Sequence, residues 1–243
     1  ATQILKSRYP EIIVIGEVYD PSQYRNYVKA GFDYLYDKVG MYDCLRGVIR
    51  GKRPASSITH EWQEVDDIRD HMLYFLENHD EQRIASDFFC GDAMKAIPAA
   101  AMSLFFQKNP FMLYSGQEFG ERGMDKEGFS GVDGRTTIFD DWSPVTLAQA
   151  YQHALPKTVN KTGAGRKTDG LTPEQKYLAA TYRQMLRLAN EEKAIREGDT
   201  FDLMYVNPGS DHFDPRTNFA FLRKKEEEVL LVVLNFSIDA REL

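Results

Sequence analysis

Apolar residues in this chain fall into short unbroken runs, separated by stretches where they return every three or four positions. Ile12-Ile13-Val14-Ile15 is the first run. It is rich in β-branched residues and predicts a strand buried on both faces, as parallel strands are in α/β proteins. Gly16-Glu17 ends it, so a carboxylate emerges where the strand stops, the end at which parallel barrels carry chemistry. His71 to Leu76 repeats the design, with Glu77-Asn78-His79-Asp80 at its exit. The two strand ends are read as facing one pocket.

Helix and strand alternate around these runs. Asp20 predicts a cap and Pro21 the first position of a helix running to Ala30, stopped by Gly31. Phe32 to Asp37 is a second strand, Met41 to Ile49 a helix, and Ile58 to Asp70 an acid-rich exposed helical stretch. Asp92 caps an Ala-rich helix that runs to about Gln107, which Pro98 either kinks or starts late. Phe111 to Tyr114 is the fourth strand, followed by Ser115-Gly116-Gln117-Glu118. Four βα-type units occupy about 110 residues, and eight such units closing a barrel take about 250. The pattern is half a barrel.

Between Phe119 and Gly170 regularity fades, and Thr162 to Lys167 reads as flexible. Thr172-Pro173-Glu174-Gln175 then forms a capping box, with Leu178, Tyr182, Met185 and Ala189 following at helical spacing. Past Gly198 the period changes to two. Phe201–Val206, Asn218–Arg223 and Val229–Phe236 predict antiparallel strands, the last two joined through a solvated charged turn at Lys224–Glu228. The expected organisation is a barrel portion over 1–198 and the start of a β-domain over 199–243.

Composition narrows the function classes. A net charge of −7 and a sequence pI near 5.3, with no dense Lys/Arg block, argue against a nucleic-acid surface. A hydrophobic fraction of 42% supports a solid core, and no apolar run is long enough to span a membrane. Cys44 and Cys90 lack metal-type spacing and read as small apolar fillers. Ala1 to Arg8 reads as the tail of an amphipathic helix with no cap before it. The chain is therefore read as starting inside a larger protein, which leaves the compartment open.

Two groups carry candidate chemistry. A carboxyl at the end of an apolar strand is expected to be partly desolvated, which raises its pKa and suits Glu17 to general acid work. The alternative is a Glu that caps the Asp20-Pro21 turn or pairs with an arginine. Asn78-His79-Asp80 sets three hydrogen-bonding side chains at a strand exit, with Arg83 placed to keep a nearby carboxylate ionised. Its bland counterpart is a turn with an N-cap Asp and a surface His. Metal binding by His79 with Asp80 lacks a further His at ligand spacing. There is no Gly-rich phosphate loop and no Gly-x-Ser-x-Gly elbow.

Gly16-Glu17-Val18-Tyr19, then Phe75-Leu76-Glu77-Asn78-His79-Asp80-Glu81-Gln82-Arg83, then Pro110 to Glu118, strongly resemble the α-amylase family of glycoside hydrolases, family 13. The order, the strand ends and the 63 residues between Glu17 and Asp80 all fit. The resemblance implies strands five to eight of a (β/α)8 barrel, an α/β fold, followed by a truncated antiparallel β-domain. It implies Glu17 as general acid/base and Asp80 as the acid that stabilises the transition state. His79 would hydrogen-bond the same sugar, and Asn78 and Tyr19 would join the substrate-binding set. Tyr114 to Glu118 matches the end of strand eight, and Gly134 to Trp142 the loop beyond it. Trp142, Phe129 or Tyr19 would offer an aromatic platform for a sugar ring, or simply pack.

The implied substrate is an α-glucan or maltooligosaccharide. No cofactor is implied as required, and calcium is compatible but nothing indicates it. One element is missing. A retaining glycosidase needs a second carboxylate about 5–5.5 Å from the first. The resemblance places it on strand four, about thirty residues before the acid, with an Arg two residues ahead of it. Only sixteen residues precede Glu17, and none is Asp. The expectation is that the chain is inactive by itself and prone to self-associate through open half-barrel edges. A non-catalytic carbohydrate-binding or structural remnant of the same fold is the alternative, and an unrelated inverting enzyme using Glu17 and Asp80 is a third reading.

Overall fold

A computed structural model describes residues 2–123, 131–140, 144–154, 170–206, 209 and 211–237. In chain order its elements are α1 (Thr2–Arg8), β1 (Ile15–Gly16), α2 (Tyr24–Lys29), β2 (Tyr34–Tyr36), α3 (Asp43–Ile49), α4 (Ser57–Glu64), β3 (Met72–Phe75), α5 (Ile97–Phe105) and β4 (Phe111–Met112). They continue with α6 (Val145–Ala154), α7 (Pro173–Glu191), α8 (Lys193–Glu197), β5 (Asp199–Asp202), β6 (Asn218–Lys225) and β7 (Glu228–Asn235). The chain divides into two compact units. One comprises Ala1–Leu76, Ile97–Met112 and Arg187–Leu243, the other Glu77–Ala96 and Leu113–Leu186.

The first unit holds both sheets. Strands β1 to β4 lie side by side in chain order and run parallel, with Ile15 opposite Tyr34, Leu35 opposite Met72 and Tyr74 opposite Phe111. Parallel neighbours require crossover connections, and helices fill each one. Asp20 opens the first as expected. Its carboxylate accepts from the Ser22 amide at 3.0 Å, and Pro21 starts a 3-10 turn that leads into α2. Pro98 falls in the first turn of α5, so that helix starts late.

The Ile12–Ile15 run is corrected by the structure. It is not a strand buried on both faces. Only Ile15–Gly16 pair, and Ile13 and Ile15 are 63% and 50% exposed. The reason is position. β1 ends the sheet, and among the described residues no strand pairs with its outer side, so the apolar pattern has nothing to cover it. The strand buried on both faces is β3. Leu73 and Phe75 pack with Tyr42 and with the half-buried Tyr34, Tyr36 and Met112, while Met72 and Tyr74 are buried on the other side. Phe75 stacks on Tyr42 with ring centroids 4.9 Å apart.

A buried acid sits at the exit of β2. Asp37 is 1% exposed, and its Oδ1 caps the π-turn Lys38–Tyr42 by accepting from the Met41 amide at 2.9 Å. Its Oδ2 has no hydrogen-bond partner among the described residues. Burial, with Glu61 and Asp43 nearby, pushes its carboxyl up to about 7. The folded state therefore holds a proton that the unfolded chain has released, so stability falls as pH rises from about 4 through 7. Between pH 5 and pH 7 this group removes roughly 2 kcal/mol. Asp37→Asn should flatten that part of the slope, measured as urea midpoints at the two pH values.

The three-stranded sheet is antiparallel in the order β5-β6-β7. Phe219, Phe221 and Arg223 share one face of β6, where the two rings meet Phe106 at centroid distances of 5.6 and 5.1 Å. Asp202 ties β5 to α4 by accepting from Thr59 Oγ1 and Trp62 Nε1. The charged turn closes tighter than expected. Lys225 pairs with Glu228, and Glu226 takes a left-handed φ of 54° between them. Glu228 is also less free than a solvated turn implies, since it accepts from the Ala194 amide in the first turn of α8.

In the second unit the capping box forms at the start of α7, where Thr172 and Gln175 exchange side-chain to amide bonds of 2.9 and 3.2 Å. Leu178, Tyr182 and Met185 are buried from that helix. Glu121 is buried and accepts from the Thr146 and Leu147 amides at the start of α6. The predicted flexible stretch Thr162–Lys167 lies outside the described residues.

Candidate active site

Glu17 stands one residue beyond β1. Its strand can approach β2 closely because position 16 is glycine: a Cβ there would meet Leu35 Cδ2 and Phe32 Cδ1 at 2.8 Å. Tyr19 returns over the turn, and its hydroxyl donates to Glu17 Oε1 at 2.5 Å. The desolvation expected of Glu17 is corrected. The side chain is exposed, for the same reason that β1 is uncovered. Tyr19 is likewise half-exposed, so its ring has an open face.

Asp80 stands five residues beyond β3, in the second unit, on a loop that the backbone builds tightly. Asn78 is buried, and its Oδ1 accepts from the Asp80 and Glu81 amides at 2.9 Å each, closing an Asx turn. Its Nδ2 has no partner among the described residues. His79 and Asp80 are left at the tip, partly exposed, with His79 Nε2 3.6 Å from Asp80 Oδ2.

At the base of this loop lies a group that sequence reasoning placed only in part. Arg83 does pair with a carboxylate, and the carboxylate is Glu77: Nη1 donates to Oε2 at 2.7 Å with both side chains buried. Glu77 Oε1 accepts from the Ile84 amide at 2.8 Å. Arg83 Nη2 donates to the Ser115 carbonyl at 2.9 Å, and its Nε to Thr136 Oγ1 at 3.1 Å. The guanidinium also lies 4.3 Å from the centre of the Tyr114 ring, whose hydroxyl donates to the Thr136 carbonyl. Burial pushes the Glu77 carboxyl up even though Arg83 and the Ile84 amide pull it down. The signal available in sequence was an acid and an arginine flanking Asn78-His79-Asp80.

Gly134 lets the 134–136 backbone reach this network. Its φ is +75°, its carbonyl accepts from the Arg83 amide at 2.8 Å, and a Cβ would strike Ser86. Phe129 and Trp142, two of the three aromatic candidates, lie outside the described residues. Among the described residues, neither unit by itself gathers three His, Cys, Asp or Glu side chains at metal-binding distance. No described helix is long and apolar enough to cross a membrane.

No family model and no curated protein matches the chain. Solved structures do. The α-amylase from H. orenii superposes with a TM-score of 0.63 at 21% identity, over 97% of this chain and 45% of that one. A maltogenic α-amylase from Thermotoga neapolitana gives 0.58 at 20%, over 96% and 44%. Eubacterium rectale Amy13B gives 0.59 at 20%, over 97% and 45%. The chain has part of the α-amylase fold. It spans less than half the length of these proteins, as a partial barrel followed by a β-domain. Within that fold, Glu17 and Asp80 follow the C-terminal ends of β1 and β3, two strands of one parallel sheet.

Proposed function

We propose that this chain is the acid/base-bearing part of a retaining α-glycosidase acting on α-glucans or oligosaccharides. The observation that carries the reading is the last one above: on the α-amylase fold, two acids follow the chemistry-bearing ends of parallel strands. Barrel strands five to eight would occupy 1–198, and the C-terminal β-sandwich would begin at 199. An AmyP structure with a similar fold is a complex with maltose, which supports an oligosaccharide ligand.

In this reading Glu17 protonates the glycosidic oxygen as the C–O bond breaks. A carboxylate outside these 243 residues attacks the anomeric carbon. Glu17, now ionised, then takes a proton from the water that releases the sugar with retained configuration. Tyr19 orients Glu17 through its hydroxyl. Asp80 stabilises the oxocarbenium-like charge through sugar hydroxyls, and His79 donates to the same ring. Asn78 contributes by shaping the turn, because its carbonyl oxygen is already engaged by two amides.

Titrating the chain with maltotriose tests this. Binding is expected to perturb the His79 ring resonances, and Asp80→Asn should weaken it by about tenfold, the loss of one charge-assisted hydrogen bond. The chain alone should show no turnover. If millimolar maltotriose leaves His79 unperturbed, the reading fails. If binding is normal but Glu17 proves irrelevant to turnover in the full-length protein, the fold serves as a carbohydrate-binding module.

A further inference from the structure

The buried Glu77–Arg83 pair takes no part in the chemistry just described, and its energetics need a reason. Removing two charges from water is unfavourable unless geometry and further hydrogen bonds offset it, so a buried ion pair is weak ground for stability. Here the raised Glu77 carboxyl shows that burial outweighs the partner. What the pair does supply is direction. A guanidinium is a rigid planar fork, and this one reaches three separate backbone stretches: Glu77 at the exit of β3, Ser115 past β4, and Thr136. Glu77 meanwhile bonds the amide of Ile84, so the eight residues from 77 to 84 are clamped at their base.

The clamped loop carries Asn78, and Asn78 in turn sets the backbone of Asp80 and Glu81. We propose that Glu77 and Arg83 are positioning residues for the His79-Asp80 tip: the fork holds the loop base, and the loop base sets the direction of the two tip side chains. That the tip faces a sugar rests on the function proposed above. That the pair sets its conformation does not.

Arg83→Lys is the informative variant. Lysine keeps the charge and one bond to Glu77 but cannot fork to Ser115 and Thr136, so the buried charges stay compensated and the chain should fold. Glu77→Gln, a neutral isostere, serves as the second variant. The readout is amide hydrogen exchange. In both variants Asp80 and Glu81 are expected to exchange about tenfold faster, while the Phe221 and Val232 amides of the β6–β7 ladder keep their rates. Exchange unchanged at Asp80 and Glu81 would overturn the proposal, as would a uniform rise across all four amides, which is what a merely structural pair would give. Maltotriose binding is followed in parallel. If the unaltered chain does not bind, the functional reading falls, and the exchange rates still decide the positioning role. If it does, both variants should weaken binding by more than they shift the melting temperature would explain.

Discussion

Under the proposed function, Glu17→Gln, made in a polypeptide that supplies the rest of the barrel, is expected to lower kcat on maltooligosaccharides by about 10²- to 10⁴-fold. Glutamine matches glutamate in shape and can still accept from the Tyr19 hydroxyl at the position of Oε1. It can neither deliver a proton to the leaving oxygen nor take one from water. Ground-state binding should therefore hold, and KM should change far less than kcat. The loss should also depend on the leaving group. An aryl glycoside with an acidic phenol needs little protonation, so its glycosylation step should fall less than that of maltotriose. The limb of the pH–rate profile that reports the acid should disappear with the carboxyl. Steady-state turnover across these substrates checks all three outcomes. Unchanged kcat on maltotriose would remove Glu17 from the reaction.

Replacing Arg223 should have the largest effect on stability. This side chain is 1% exposed on the inner face of β6, and the carbonyls of Phe106, Ala194, Ile195 and Gly198 all accept from it. Phe106 directly follows α5, and the other three residues lie on or just past α8. Of these, the Phe106 carbonyl also accepts from Thr200 Oγ1 and the Ala194 carbonyl from the Gly198 amide, so Ile195 and Gly198 are the carbonyls that depend on the guanidinium. Burial pulls its pKa down to about 10, so it remains charged at neutral pH. Arg223→Ala would strand the buried carbonyls of Ile195 and Gly198 together, at about 1–3 kcal/mol for each group that water cannot reach. The expected loss is about 4 kcal/mol, allowing for partial hydration of the cavity. Arg223→Lys should recover only part, since three donors on a single nitrogen cannot span both helix ends. Denaturant unfolding followed by Trp62 fluorescence reports on it, because Trp62 bonds Asp202 in the same unit. A loss below 1 kcal/mol would show that water replaces the arginine.

Local patterns were legible wherever neighbouring residues decide the outcome. Asp20-Pro21 opens its turn, Thr172 and Gln175 close their box, and the change of period past Gly198 marks the antiparallel sheet. In each, the partners are a few residues apart, so the spacing already contains the geometry. The two acids at strand ends were legible for a related reason: an apolar run followed by a carboxylate marks a strand exit without any knowledge of what lies beside it.

What lies beside it was not legible. Ile12–Ile15 has the composition of a central strand, yet whether such a run is buried depends on a neighbour that its own residues do not specify, and β1 is an edge here. The same gap left Glu17 exposed where desolvation was expected. Arg83 was recognised as a partner for some carboxylate, but choosing Glu77 over Asp80 required the fold, because only burial excludes water from one pair and leaves the other at the surface. Asp37 and Arg223 carried no signal at all. A charged residue inside an element reads as exposed until packing from distant segments encloses it. The order of residues determined the strand exits, the caps and the acids they carry; tertiary packing alone decided which of those charges meet water, because burial is a property of neighbours far along the chain.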